Sequence, residues 1–197
     1  MAQLFFRYSS MNAGKSLEII KIAYNYEEQG KKTLLFTAEI DDRYGRGFVA
    51  SRVGIKREAI PFNSNTSIIN VLQSSGDDER IHCILIDEGQ FLTAKQVKEL
   101  TQIVDYMDIP VIVYGLKNDF KNDLFEGSEA LLIYADKIEE IKTVCWFCDK
   151  KATMVLRLVD GKPAYTGEQV LIGGNSNYLP VCRKCYGNPK LSTINEG

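Results

Sequence analysis

Residues 3–20 read QLFFRYSSMNAGKSLEII, and the middle of this stretch decides the fold. Gln3 to Tyr8 is a short run of β-forming residues. Ser16 to Gln29 carries the broad apolar face of a helix, and Gly30 is placed to stop it. Between them, Ser9-Ser10-Met11-Asn12-Ala13-Gly14-Lys15-Ser16 matches G-x-x-x-x-G-K-[ST] except at the first position, where serine replaces glycine. The spacing has a physical reason. Backbone N–H groups curl around a phosphate at the positive end of a helix. Gly14 lets the backbone come close, Lys15 sets a point charge against the outer phosphates, and the Ser16 hydroxyl suits Mg2+. An accidental GKS at an ordinary strand–turn–helix junction is the competing reading, and the flanking strand and helix weigh against it.

Further along, TLLFT (33–37), IHCILID (81–87) and VIVYG (111–115) read as buried strands. Residues 39–54 are polar, punctuated by glycine and expected to be loop-rich. Short and long helices are expected over 68–73 and 93–106, the second with Thr93 as N-cap. Alternating helices and near-continuous apolar strands imply a parallel sheet covered on both faces. The strand at 81–87 ends in Asp87-Glu88-Gly89-Gln90, at the edge where such sheets keep their ligand crevice. Asp87 fits a carboxylate that holds Mg2+, and Glu88 is then free to take a proton from an attacking hydroxyl. Asp-Glu-x-Gln also occurs in helicase-type ATPases, but those need two such cores and this chain has room for one.

After about Lys142 the pattern changes. Cys145-x-x-Cys148 and Cys182-x-x-Cys185 offer four thiolates, the donor set of a closed tetrahedral Zn2+ site. Two redox dithiols or two disulfides are the alternative, disfavoured in a reducing compartment. Between the pairs, MVLRLV and YTGEQVLI flank Gly161 and suggest a hairpin. The expected division is 1–142 for a P-loop α/β unit and 143–197 for a zinc-binding annex. Cys83, alone in its strand, reads as a small buried apolar residue, and neighbouring His82 as structural.

The 24 basic and 26 acidic residues leave a net charge of −2, which argues against a broad nucleic-acid-gripping face. No apolar run approaches the ~20 residues of a membrane span. The opening residues lack the basic head and long apolar stretch of a signal peptide, so a cytoplasmic protein is expected.

The phosphate loop SSMNAGKS, then TAEIDDRYG, IDEGQF, YGLKNDF and CWFC…IGGNSNYLPVCRKC occur in an order that resembles the cytosolic (type II) thymidine kinases, bacterial members above all. The resemblance covers essentially the whole chain. It implies a P-loop NTPase-like (RecA-like) α/β fold with a zinc annex and a lasso-like loop. It implies transfer of the ATP γ-phosphoryl group to the 5′-hydroxyl of thymidine, in the service of nucleoside salvage for DNA synthesis. Glu88 matches the family's general base. Lys15 and Arg43, with Mg2+, would spread the developing charge. Residues 9–16, Asp41 and residues 87–90 match the ATP site. Phe120 matches the ring that stacks on thymine, with Met11, Leu116 and Phe125 lining the base pocket. Gln169, Val170, Leu171, Ile172 and Gly173 match the loop that binds the base through its backbone, and Tyr178 matches a nucleoside contact. Cys185 stands where the family can carry histidine as a zinc ligand. A homotetramer and feedback inhibition by thymidine triphosphate are implied as well. Two other classes stay open at this point: a P-loop ATPase whose zinc module binds nucleic acid, and a non-catalytic nucleotide switch.

Overall fold

The computed structural model describes residues 1–41, 45–75, 80–170 and 177–191. Apolar strands meet in one sheet because each carries core side chains on both faces. β1 (Leu4–Ser9) leads through the phosphate-loop segment into α1 (Lys15–Glu27) and then β2 (Lys32–Ala38). β3 (Phe48–Ala50) and β4 (Lys56–Glu58) pair antiparallel, so the stretch read as loop contains half of a small hairpin. Three-residue strands are too short to show alternation, which is why the sequence hid it. β5 (Ile60–Phe62), α2 (Ile68–Ser74), β6 (Ile81–Ile86), a 3₁₀ turn (Gly89–Phe91), α3 (Ala94–Met107), β7 (Val111–Leu116), α4 (Glu126–Tyr134) and β8 (Lys137–Glu140) complete the larger unit.

Six strands form a parallel sheet in the order β5-β2-β6-β7-β1-β8. In β6, Ile84 and Ile86 join the core under α2, α3 and α4, whereas Cys83 and Leu85 join the core under α1. β7 divides in the same way, with Val111 and Val113 against Ile112 and Tyr114. This two-sided burial is the P-loop-like α/β arrangement expected from the strands. α3 starts with a reciprocal capping box between Thr93 and Gln96. β8 carries Lys137, Glu139 and Glu140 at the sheet edge, where charge deters further pairing. That polarity concealed it as a strand.

The register sets the position of the site. Leu4 pairs with Val111 and Ser9 with Leu116, so β1 and β7 reach the carboxyl edge together. The Asp87 N–H donates to the Phe36 carbonyl at 2.9 Å, bringing β6 to the same edge beside β2.

A second, three-stranded antiparallel sheet has the order β10-β9-β11: β9 (Met154–Val159), β10 (Lys162–Ala164) and β11 (Tyr178–Val181), followed by α5 (Arg183–Gly187). The Gly161 turn does join a hairpin, but the partner of MVLRLV is Lys162–Ala164 and not the following YTGEQVLI. The strand on the other side of β9 is β11. Leu156, Leu158, Leu179 and Val181 pack around the cysteines as a separate small core. Among the described residues, no helix is long and apolar enough to cross a membrane.

Candidate active site

Between Ser9 and Lys15 the chain turns over the sheet edge through two left-handed residues, Asn12 (φ 64) and Gly14 (φ 80). Asparagine tolerates that region and glycine adopts it freely. Lys15 is buried, and its ammonium donates to Ser9 Oγ at 3.0 Å and to the Ser10 carbonyl at 3.5 Å. Ser9 therefore has a use at the position where glycine was expected: its hydroxyl holds the lysine head while donating to the Ser10 carbonyl at 2.6 Å.

Asp87, at the end of β6, is 3% exposed. Its carboxylate accepts from the Ser16 hydroxyl at 3.1 Å and from the Glu88 N–H at 3.0 Å. Burial pushes its carboxyl up to about 7 and the charge of Glu88 adds to this, while Lys15 and the two hydrogen bonds pull the other way. An oxygen pair from Ser16 and Asp87, tilted towards protonation by burial and by the neighbouring Glu88 charge, suits a hard divalent cation that would offset both.

Glu88 itself is left-handed (φ 55, ψ 40), a conformation that costs a non-glycine residue about 1 kcal/mol or more. The strain goes with a tight crossing of three chain segments. A Cβ built on Gly89 would lie 2.1 Å from Val113 Cγ1, one on Gly115 2.9 Å from Gln90 Oε1, and one on Gly127 2.5 Å from the Gly89 carbonyl. Only glycine lets the ends of β6 and β7 and the start of α4 meet there. Gln90 sits among them, 3% exposed. Its Oε1 accepts the Leu116 N–H at 3.0 Å, which leaves its Nε2 to donate to the Glu88 carboxylate. The glutamine thus aims Glu88 from a fixed point on β7.

These elements wall a cavity of about 370 Å3, within the range of small-molecule sites. Of the sequence-predicted residues, it gathers Met11, Asn12, Ala13, Gly14, Lys15 and Ser16 with Asp41, Glu88 and Gln90. Leu116, Phe120, Phe125, Gln169, Val170 and Tyr178 line it as well. Ser9, Ser10, Asp87 and Gly89 are not on that wall but adjoin residues that are. Arg43, Leu171, Ile172 and Gly173 lie outside the described residues. Phe120 is held by its surroundings. The Asp119 carboxylate accepts from the N–H groups of Lys121 and Asp123 at 2.8 and 3.0 Å, fixing the turn. The Tyr186 hydroxyl donates to the Phe120 carbonyl at 2.7 Å, and the Arg157 guanidinium lies 4.8 Å from the ring centroid. Phe125 meets Phe91 edge to face.

The sequence reading missed Val155, which also lines the cavity, and Arg157. The available signal was an arginine in an otherwise apolar β-run, at i+2 from Val155 and so on the same face. It also missed Gly115 and Gly127, whose role depends on tertiary contact.

The four cysteine sulfurs all lie within 4.8 Å of one another, with Cys148–Cys182 at 3.7 Å and Cys148–Cys185 at 3.8 Å. A tetrahedron with Zn–S bonds of about 2.3 Å has edges of about 3.8 Å, whereas a disulfide needs about 2.05 Å. The set could therefore hold a metal ion and is not arranged as disulfides. Cys83 is fully buried, and burial pushes its thiol up to about 11, so it is no nucleophile.

The thymidine kinase family model matches residues 2–186. The chain belongs to the thymidine kinase family. It is 60% identical over 192 residues to the thymidine kinase of Listeria monocytogenes serotype 4b, covering 97% of this chain and 100% of that protein. Against the thymidine kinase of Lactiplantibacillus plantarum the figures are 58% over 193 residues, 98% and 100%. Against that of Streptococcus pyogenes serotype M3 they are 53% over 191 residues, 97% and 100%. Family membership thus extends over both the phosphate-loop unit and the cysteine module.

Proposed function

We propose that the protein transfers the γ-phosphoryl group of ATP to the 5′-hydroxyl of thymidine, giving thymidine monophosphate and ADP. The observation that carries this reading is one cavity lined together by the phosphate-loop residues Met11 to Ser16, by Glu88, and by Phe120, Phe125, Gln169, Val170 and Tyr178. Residues 9–16 cradle the ATP phosphates through backbone N–H groups and the α1 N-terminus. Lys15, released from Ser9, moves its charge to the β- and γ-phosphates, and Arg43 adds a second cation. Ser16 and Asp87 are the residues that would hold Mg2+, which supplies neutralisation of phosphate charge. Glu88, aimed by Gln90, accepts the proton of the 5′-hydroxyl as its oxygen bonds to the γ-phosphorus and the bond to ADP breaks.

Thymine stacks on Phe120 among Met11, Leu116 and Phe125. The backbone of residues 169–173 reads its polar edge, and Tyr178 contacts the nucleoside. Zinc in the cysteine quartet takes no part in chemistry, because four protein ligands leave no open position. Held by Cys145, Cys148, Cys182 and Cys185, it would stabilise the fold of the cysteine module itself. The family likeness also supports a cytoplasmic homotetramer, inhibited by thymidine triphosphate, with no stable hold on nucleic acid.

The test is transfer of labelled phosphate from γ-labelled ATP to a panel of nucleosides. Label on thymidine, with ATP consumption strictly dependent on added nucleoside, is the expected result. ATP turnover without any nucleoside would refute the reading.

A further inference from the structure

We propose that the groove between the turn at 117–124 and the cysteine module is a binding site for an oligophosphate anion, separate from the phosphate loop. The groove has a volume of about 960 Å3, the size of a small-molecule site. Three segments far apart in sequence wall it: the turn after β7, the stretch after Cys148, and the start of α5. Each brings cations. Lys117 comes from the first, Lys150 and Lys151 from the second, and Arg183 and Lys184 from the third. Among the described residues that line the groove, none is acidic. Lys151 is neutralised by Glu140 at 2.6 Å. Lys117 Nζ lies 5.7 Å from the centroid of the Tyr8 ring. Among the described residues, no carboxylate lies within ion-pair distance of Lys117, Lys150, Arg183 or Lys184.

A single surface lysine is ordinary, because water solvates it. Five cations around one concavity, on a chain whose net charge is −2, call for a reason. Like charges repel, and a cleft lined by one sign focuses the potential and concentrates counter-ions. The rest of the lining suits a phosphorylated molecule. Asn118, Asn122 and Thr153 offer neutral hydrogen-bonding groups, and Leu124 and Met154 offer an apolar patch. Asn118 is the one residue that lines both this groove and the first cavity. Its Nδ2 donates to the Asp119 carbonyl and to Asn122 Oδ1, both at 3.2 Å. The phosphate-loop residues belong to the first cavity alone, so the two sites are neighbours with separate cations. Cys182 also lines the groove, and the rival reading is that the cations balance metal-bound thiolates. A doubly negative zinc tetrathiolate would still leave the groove positive, and Lys117 comes from outside the cysteine module. A confined groove, in place of an extended basic strip, selects a short anion over a nucleic-acid strand.

The experiment is isothermal titration calorimetry of the zinc-loaded protein with inorganic tripolyphosphate, in magnesium-free buffer at low and moderate salt. Lys15→Met removes the cation of the phosphate loop, so binding that remains reports the groove. This variant is expected to take up one tripolyphosphate per chain, more weakly as salt rises. Adding Arg183→Gln and Lys184→Gln to it should weaken that binding roughly tenfold or more. Adding Lys117→Gln alone should weaken it too, with zinc per chain unchanged. ATP in place of tripolyphosphate separates the two sources of such an anion. Equal affinity means that the phosphate chain alone is held, and tighter binding of ATP means that the apolar patch takes the nucleoside; either result supports the site. Absence of binding to Lys15→Met would overturn the proposal, as would an affinity that Lys117→Gln leaves unmoved. Loss of zinc on Arg183→Gln and Lys184→Gln, with no effect of Lys117→Gln on the anion, would assign the cations to the metal instead. Tighter binding, per phosphate, of a short single-stranded oligodeoxynucleotide would overturn the choice of a small anion.

Discussion

Gly127→Ala sets two physical effects against each other with opposite signs. Gly127 lies in the first turn of α4 and its φ is not positive, so helix propensity alone says that alanine should stabilise, by up to about 1 kcal/mol. Packing says the reverse. The new methyl would lie 2.5 Å from the Gly89 carbonyl oxygen, 2.6 Å from that of Leu92 and 3.0 Å from that of Gln90. All three are backbone atoms and cannot rotate away. Reaching ordinary contact near 3.4 Å requires α4 and the 88–91 turn to separate by roughly 0.9 Å, the difference between 3.4 and 2.5. Overpacking of this kind costs about 3 kcal/mol, at the upper end because the obstacle is main chain. The net loss is about 2 kcal/mol, or a fall in Tm of about 4–8 °C for a chain of this size. The turn that moves carries Glu88 and Gln90, and a misplacement near 1 Å at a reacting group can cost about 100-fold in rate. Differential scanning calorimetry against Gly187→Ala, where a Cβ meets nothing within 4 Å, isolates the packing effect. A Tm for Gly127→Ala at or above wild type would refute the claim that three glycines set the position of Glu88.

Asp87→Asn should stabilise the ligand-free protein at pH 8 while abolishing phosphoryl transfer. The folded-state carboxyl sits at about 7, above its ordinary 3.8, so the stability it contributes is present below about pH 4 and is lost as pH rises through 7. Asparagine removes that slope and keeps the local bonds, because Oδ1 can accept the Glu88 N–H and the Ser16 hydroxyl can turn to accept from the amide. Equal pH dependence of unfolding in both proteins between pH 5.5 and 8 would contradict this. Cys182→Ser should bring zinc well below one ion per chain and raise the thymidine KM, with a smaller effect on the ATP KM. Wild-type metal content and KM would dismiss a structural zinc.

Much of the fold was legible because its strands are buried on both faces. IHCILI and VIVYGL read as continuous apolar runs since successive side chains enter two different cores. The phosphate loop was legible because its glycine, lysine and serine have fixed spacing. The elements that stayed hidden had no periodic signal. β8 is a charged edge strand, β3 and β4 have three residues each, and α4 is nine residues whose apolar part is confined to its second half. The partner of β9 was misplaced because Lys162–Ala164 carries no β-pattern, whereas the more apolar QVLI beyond it does. At the candidate site, motif residues were found one by one, but the couplings between them were not. That Gln90 spans from Glu88 to Leu116, or that Arg157 reaches Phe120, depends on segments dozens of residues apart. Gly115 and Gly127 carry no mark in the sequence of the backbones that press against them.

The account as a whole depends on Glu88 accepting the hydroxyl proton. Glu88→Gln preserves the size of the side chain and can still accept from Gln90, so binding should survive while base strength does not. The measurement is single-turnover phosphate transfer alongside the thymidine Kd. The account predicts a rate lower by about 100-fold or more with a Kd within about threefold of wild type; an unchanged rate would contradict it.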